Sequence, residues 1–234
     1  MRRRRVLPLT LLGLAVAIGL AAATLAAPRL LTGAARRHAA LELPFRTTDG
    51  AIALGNLDVQ IAGMERRGAR LTPRGRAQLV DLLSARAQYS GSVADRERAL
   101  AIAEELVAAQ PTDPLLRLGR ARARAGLHRF TEALADVDAA ATLGAPDAAL
   151  AAARAGVLQS LGRYDEALAL RRAAAADAAT TDTLGALAAL QAERGEVAAA
   201  AATFAQARAA YRDVSPFTVA WLLFDEGVMW MHHD

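Results

Sequence analysis

The chain has 234 residues, 54% of them hydrophobic but only 4% aromatic, and no cysteine. It can therefore bury a core of ordinary size, while a disulfide, a thiolate metal site and a cysteine nucleophile are excluded. The formal charge of +4 belongs to one end: seven of the 28 arginines lie in residues 1–40 without an acid, leaving 21 against 24 acids, a net of −3, for residues 41–234. A folded body of that charge lacks the basic face that binding to nucleic acid requires.

The sequence opens MRRRR and continues from Val6 to Ala27 without a charge, 22 residues in all. As a helix that run spans about 33 Å, enough for a hydrocarbon core of about 30 Å. The arginines in front of it hold that end in the cytoplasm and send the rest outward. Residues 1–27 are therefore expected to be a signal anchor, a single transmembrane helix. A cleaved signal with a small-residue site at Ala21-x-Ala23 is the alternative, and would leave a periplasmic or secreted chain. All of the basic residues are arginine and none is lysine, and alanine is abundant. That pattern matches the base composition of a GC-rich bacterial genome. The expected location is thus a bacterial cytoplasmic membrane, single-pass, with the amino terminus inside.

Residues 28–48 read as a linker, carrying Pro28, Gly33, Pro44 and a Thr-Thr-Asp-Gly turn. A leading segment, 49–72, follows. Its helix is expected over 49–67, with Ile52, Leu57, Ile61 and Met64 as an apolar stripe and Gly68 as its stop.

From residue 73 the chain repeats itself. HRFTEALAD at 128–136 and GRYDEALAL at 162–170 place Ala133 and Ala167 at the same point of two matching phrases. Ala99 lies one such interval before Ala133, and Ala200 lies one interval, short by a single position, after Ala167. A second row, Ala87, Ala121, Ala155 and Ala188, precedes the first by a constant offset. Small residues at fixed places let two helices approach closely. Thr72-Pro73 and Thr112-Asp113-Pro114 read as helix starts, and Gly91, Gly126, Gly144, Gly162 and Gly195 fall between periodic segments. The spacing predicts four helix pairs: 73–90 with 93–110, 113–126 with 129–143, 147–161 with 163–177, and 181–194 with 196–213.

Two antiparallel helices recurring every ~34 residues resemble the tetratricopeptide repeat. Phe130 and Tyr164, Phe204 and Pro111 stand where that family carries aromatic residues and a proline. The resemblance covers residues 73–213 and implies an all-α fold, an α-solenoid of antiparallel helix pairs, preceded here by the one amino-terminal transmembrane helix. Ala87, Ala99, Ala121, Ala133, Ala155, Ala167, Ala188 and Ala200 become the helix-packing positions. In the second unit the family's bulky positions would hold Arg117 and Arg120. A first helix shifted by two positions would place Leu115, Leu118 and Gly119 there, with an insertion near Leu127-His128.

The resemblance also implies what such a chain does. It would be a scaffold whose concave groove, lined by the first helix of each pair, holds a protein or peptide. Mapped residue by residue, that groove would present Asp81, Ser84, Gln88, Leu115, Leu118, Arg122, Gln159 and Asp182. The family's clamp for a peptide carboxylate uses lysine, which this chain lacks, so that activity does not carry over. Arg117, Arg120, Arg122 and Arg124 form the sharpest charged cluster. They could read an acidic peptide, or be balanced by Glu132, Asp136 and Asp138 of the next helix.

Residues 214–234 read as one more first helix, with Trp221, Phe224, Val228 and Trp230 as its apolar face and no partner helix after it. The chain is therefore expected to be a fragment, to dock this helix on a partner, or to self-associate through Trp221 and Trp230. His232, His233 and Asp234 form a polar tail; no metal-ligand spacing, phosphate loop, catalytic triad or cofactor motif occurs. No enzyme activity, metal or cofactor is expected.

Overall fold

The computed structural model describes residues 46–233. The expected anchor at 6–27 and most of the linker lie outside them. The described part is all-α: α1 Gly50–Glu65, α2 Pro73–Ser90, α3 Val93–Ala109, α4 Pro114–Gly126, α5 Phe130–Thr142, α6 Asp147–Ser160, α7 Tyr164–Asp177, α8 Thr181–Glu193, α9 Val197–Ala210 and α10 Phe217–His233. A single 3-10 turn, Gly68–Arg70, joins α1 to α2. Among the described residues no helix is long and apolar enough to cross a membrane.

Local chemistry sets the helix starts. The Thr72 hydroxyl accepts from the Gly75 N–H at 3.1 Å, with Pro73 in the first turn. The Asp113 carboxylate accepts from the Leu115 N–H at 2.8 Å, with Pro114 behind it. Thr180 and Thr183 cap α8 reciprocally.

The turns inside the pairs reveal the register. Before α5, α7 and α9 the chain makes the same short connection: Leu127-His128-Arg129, Leu161-Gly162-Arg163 and Arg194-Gly195-Glu196. In each, the middle residue is left-handed, with φ of 59°, 74° and 76°. In each, the N–H of the last residue reaches back into the preceding helix, to the carbonyls of Arg124, Leu158 and Gln191. His128 thus occupies the place of Gly162 and Gly195, the only non-glycine with positive φ among the described residues. No insertion exists at Leu127-His128. The shifted register for α4 is therefore wrong, and the unbroken repeat spacing holds: Leu115 is 57% exposed while Ala121 is buried.

The core follows from the two alanine rows. Ala87, Ala99, Ala121, Ala133, Ala155, Ala167, Ala188 and Ala200 are all 2% exposed or less. Each helix packs on its neighbour in sequence, and first helices also meet across pairs, α2 on α4 and α4 on α6. Consecutive apolar clusters run along the stack: Leu57, Ile61, Leu83 and Leu106; then Leu118, Val137 and Val157; then Leu158, Leu168 and Leu190; then Leu184, Phe204 and Met229.

Two expected faces turn out differently. In α1, Leu57 and Ile61 are buried but Ile52, in the first turn, is 59% exposed. In α10 the buried side is Val219, Leu222, Glu226 and Met229, while Trp221, Phe224 and Trp230 face outward. The surface that α10 meets explains this. A Cβ on Gly185 would lie 3.0 Å from Leu222 Cδ1, and Ala188 and Ala189 flank it. A floor of such small residues fits the aliphatic side chains of Val219, Leu222 and Met229 more closely than indole rings. Glu226 enters that interface by pairing with buried Arg208.

Candidate functional site

The arginine cluster on α4 folds inward upon one acid. Asp136 of α5 is 2% exposed. Arg120 donates to its two oxygens from Nε at 2.9 Å and Nη2 at 2.5 Å, and Arg124 Nη1 adds a third bond at 2.8 Å. That fork holds the Arg120 guanidinium more firmly protonated than usual, chiefly through the bonds to Asp136. Arg117 donates to the Pro111 carbonyl at 3.1 and 2.8 Å and approaches Asp136 at 4.0 Å. These three arginines are occupied by the fold itself. Arg122 points elsewhere, pairing with Asp81 across α2 and α4 at 2.9 Å, both side chains more than half exposed.

Arg120 has counterparts in the neighbouring units. Arg86, Arg120 and Arg154 stand one repeat apart, at the same place in three first helices. Arg86 grips buried Asp95 with two bonds of 2.7 Å and reaches Asp58 at 3.0 Å. Its guanidinium holds the Asp95 carboxyl below the ordinary carboxylate range. Arg154 meets Asp138 at 2.6 Å. The repeat-length period of arginine was the available signal; the acids escape it because each sits at a different place in its own unit.

The remaining groove residues divide in two. Ser84 spends its hydroxyl on the Val80 carbonyl at 2.8 Å, and Leu118 is buried in the core, not presented to the groove. Gln88 and Asp182 are exposed. Gln159 joins a relay: its Oε1 accepts from Arg171 Nε at 3.2 Å and Nη2 at 3.0 Å, and its Nε2 donates to Glu193 at 2.7 Å. Burial lowers the Arg171 pKa. Beyond Glu193 a cleft of about 390 Å³ opens between α8 and α10, walled by Ala189, Ala192, Phe224 and Met229. Asp225 lines it, its pKa raised first by burial and then by the charge of Glu193. No group of three or more His, Cys, Asp or Glu that could hold a metal occurs among the described residues.

The first helices thus bury their small residues against one another and leave a few polar groups, Gln88 and Asp182 among them, exposed. The fold is that of tetratricopeptide-repeat proteins. The crystal structure of TTC0263, a thermophilic repeat protein of this kind from Thermus thermophilus, aligns with a TM-score of 0.60 at 23% identity, over 77% of this chain and 94% of that one. YrrB, a repeat protein with an unusual peptide-binding site, aligns at 0.43 and 18% identity over 74% and 82% of the two chains. Yeast Tom70 aligns at 0.47 and 17% identity over 76% and 38%. No family model matches the sequence, and no curated protein matches it.

Proposed function

We propose that the chain is a protein-binding scaffold of tetratricopeptide type, tethered to a bacterial cytoplasmic membrane and exposed on its outer side. One observation supports the binding role: the row of first helices keeps exposed polar groups, Gln88 and Asp182 among them, on a stack whose buried Asp95 and Asp136 are internally paired. Binding there works by surface complementarity over several helices, and no residue performs covalent chemistry. The tether rests on the run of arginines at the start and the uncharged stretch from Val6 to Ala27 that follows it.

The binding role is tested with a photo-crosslinking residue placed in cells at Gln88 or Asp182, and at Glu97 on a second helix. A discrete adduct at the first two positions and none at Glu97 is expected. Equal labelling at all three, or none, refutes the reading. The tether is tested by the intact mass of the protein from membrane and soluble fractions. Full length in the membrane supports it; a soluble species cut after Ala23 or Ala27 makes the chain an exported adaptor.

The exposed face of α10 favours a second reading, self-assembly. Trp221 stacks on Phe224 with ring centroids 5.2 Å apart, and Trp230 is 40% exposed. Concentration-dependent sedimentation, abolished by replacing Trp221 and Trp230, would favour it over a monomeric binder.

A further inference from the structure

In a linear stack of repeats each unit touches only its neighbours. Residues of the α9–α10 connection break that rule. The Thr48 N–H, just before α1, donates to the Val214 carbonyl at 2.7 Å. The Phe217 ring stacks on Tyr89 of α2 with centroids 4.2 Å apart and planes 12° from parallel. Phe217 also packs against the first core cluster, that of Leu57 and Leu79. Asp182, at the start of α8, stands close enough to Tyr89 that its charge, after burial, helps push the phenol pKa up. The first pair and the last pair therefore meet.

The connection is built to make this contact. The Tyr211 hydroxyl donates to the Ser215 carbonyl. The Asp213 carboxylate accepts from the N–H groups of Val214 at 2.6 Å and Ser215 at 3.2 Å. Pro216 fixes the backbone immediately before Phe217. The segment is thus folded on itself before it touches α1, presenting the Val214 carbonyl on one side and the Phe217 ring on the other.

The geometry points to a releasable clasp: residues 213–217 hold the last helix pair onto the first, closing the stack on itself. Among the described residues the contact rests mainly on one backbone hydrogen bond, one aromatic stack and the edge of one apolar cluster. That is a small interface beside the continuous cores that join neighbouring helices, so the clasp opens without unfolding either pair. An open stack changes the curvature of the row of first helices, and a partner that fits the open curvature shifts the balance toward it.

The test is hydrogen exchange of the full-length chain, compared with Phe217→Ala and Tyr89→Ala, each confirmed helical by circular dichroism. The two variants remove opposite halves of the stack, so one still decides the matter if the other loses α10. A clasp predicts exchange about tenfold faster in α1 and the carboxy-terminal half of α2, and in residues 211–217, with α5 to α7 unchanged. Unchanged exchange in both variants overturns the proposal. So does a uniform rise over α4 to α9, which would make Phe217 and Tyr89 ordinary contributors to global stability.

Discussion

Replacing Asp136 by Asn separates a buried charge network from a surface ion pair. The carboxylate is 2% exposed, and the side chains of Arg120 and Arg124 are 16% and 15% exposed. Asn keeps the shape but presents one oxygen and an amide where two guanidinium groups donate three bonds. Breaking a buried pair from one side costs about 3–5 kcal/mol. Arg124 also lies 3.8 Å from Glu104 and recovers part of the loss, so about 2–4 kcal/mol is expected. The comparison is Asp138→Asn in the same helix, where a carboxylate more than half exposed forms an ion pair with Arg154; that change should cost less than about 1 kcal/mol. Thermal unfolding followed by circular dichroism, at about 0.1 M and about 1 M salt, reads both. Salt should erase the Asp138 effect and leave most of the Asp136 effect. Equal shifts for the two variants, or loss of the Asp136 effect in salt, would refute the argument that this cluster is structural.

The same logic makes the triple change of Arg117, Arg120 and Arg124 to Ala destabilising, since it strands Asp136; an unaltered melting temperature would show the cluster to be surface. Ala133→Leu or Ala167→Leu should lower stability by about 1–3 kcal/mol in denaturant titration, because both sites are 0% exposed and the added side chain must push two helices apart. Gly162→Ala should cost about 1 kcal/mol by the same titration, as a Cβ is disfavoured at φ 74°. His128→Gly, at φ 59°, should gain a few tenths of a kcal/mol, after losing the edge contact of His128 with Phe130 at 5.3 Å. Asp225→Asn should raise the melting temperature at pH 7. The folded carboxyl has a raised pKa, so its charged form is penalised above that pKa, and the penalty disappears as pH falls below the unfolded value of 3.8. Asp95 behaves in the opposite sense. Its lowered folded pKa gives stability above 3.8 that is lost as pH falls through the folded value, so Asp95→Asn should flatten the acid limb of the stability curve.

What was legible in the sequence was periodic. The two alanine rows gave the helix pairs and their packing face, because the same backbone approach recurs every unit and tolerates no bulk. The proline and hydroxyl starts gave the boundaries, because caps act within one turn. The register of α4 was misread for an instructive reason. Arg117 and Arg120 stand where the repeat favours bulky apolar residues, yet a long side chain can bury its stem there and hand its charge to an acid on the next helix. Asp136 is one of three acids on the next helix that the sequence offers as counter-charges, and only the fold selects it over Glu132 and Asp138. The α10 face was misread because apolar residues occur on two sides of that helix. The choice between them was made by Gly185 and its alanine neighbours on another helix.

The arginine cluster takes the balanced arrangement and is consumed in holding α4 to α5, and α10 turns Val219, Leu222 and Met229 inward and its rings outward. Removing the cluster from the set of contacts leaves the groove with little fixed charge, Asp182, the Asp81–Arg122 pair and the acidic edge of the α8–α10 cleft, beside the neutral amide of Gln88. Affinity from such a surface must come from shape and apolar area, with the few polar groups setting register. Shape, in turn, depends on how the first helices are splayed, which the contact of Phe217 with Tyr89 governs. Selection of a partner by this chain is therefore expected to be weakly dependent on salt and strongly dependent on changes at Tyr89 and Phe217. A partner whose affinity fell steeply with salt and ignored those two positions would have to bind elsewhere on the stack.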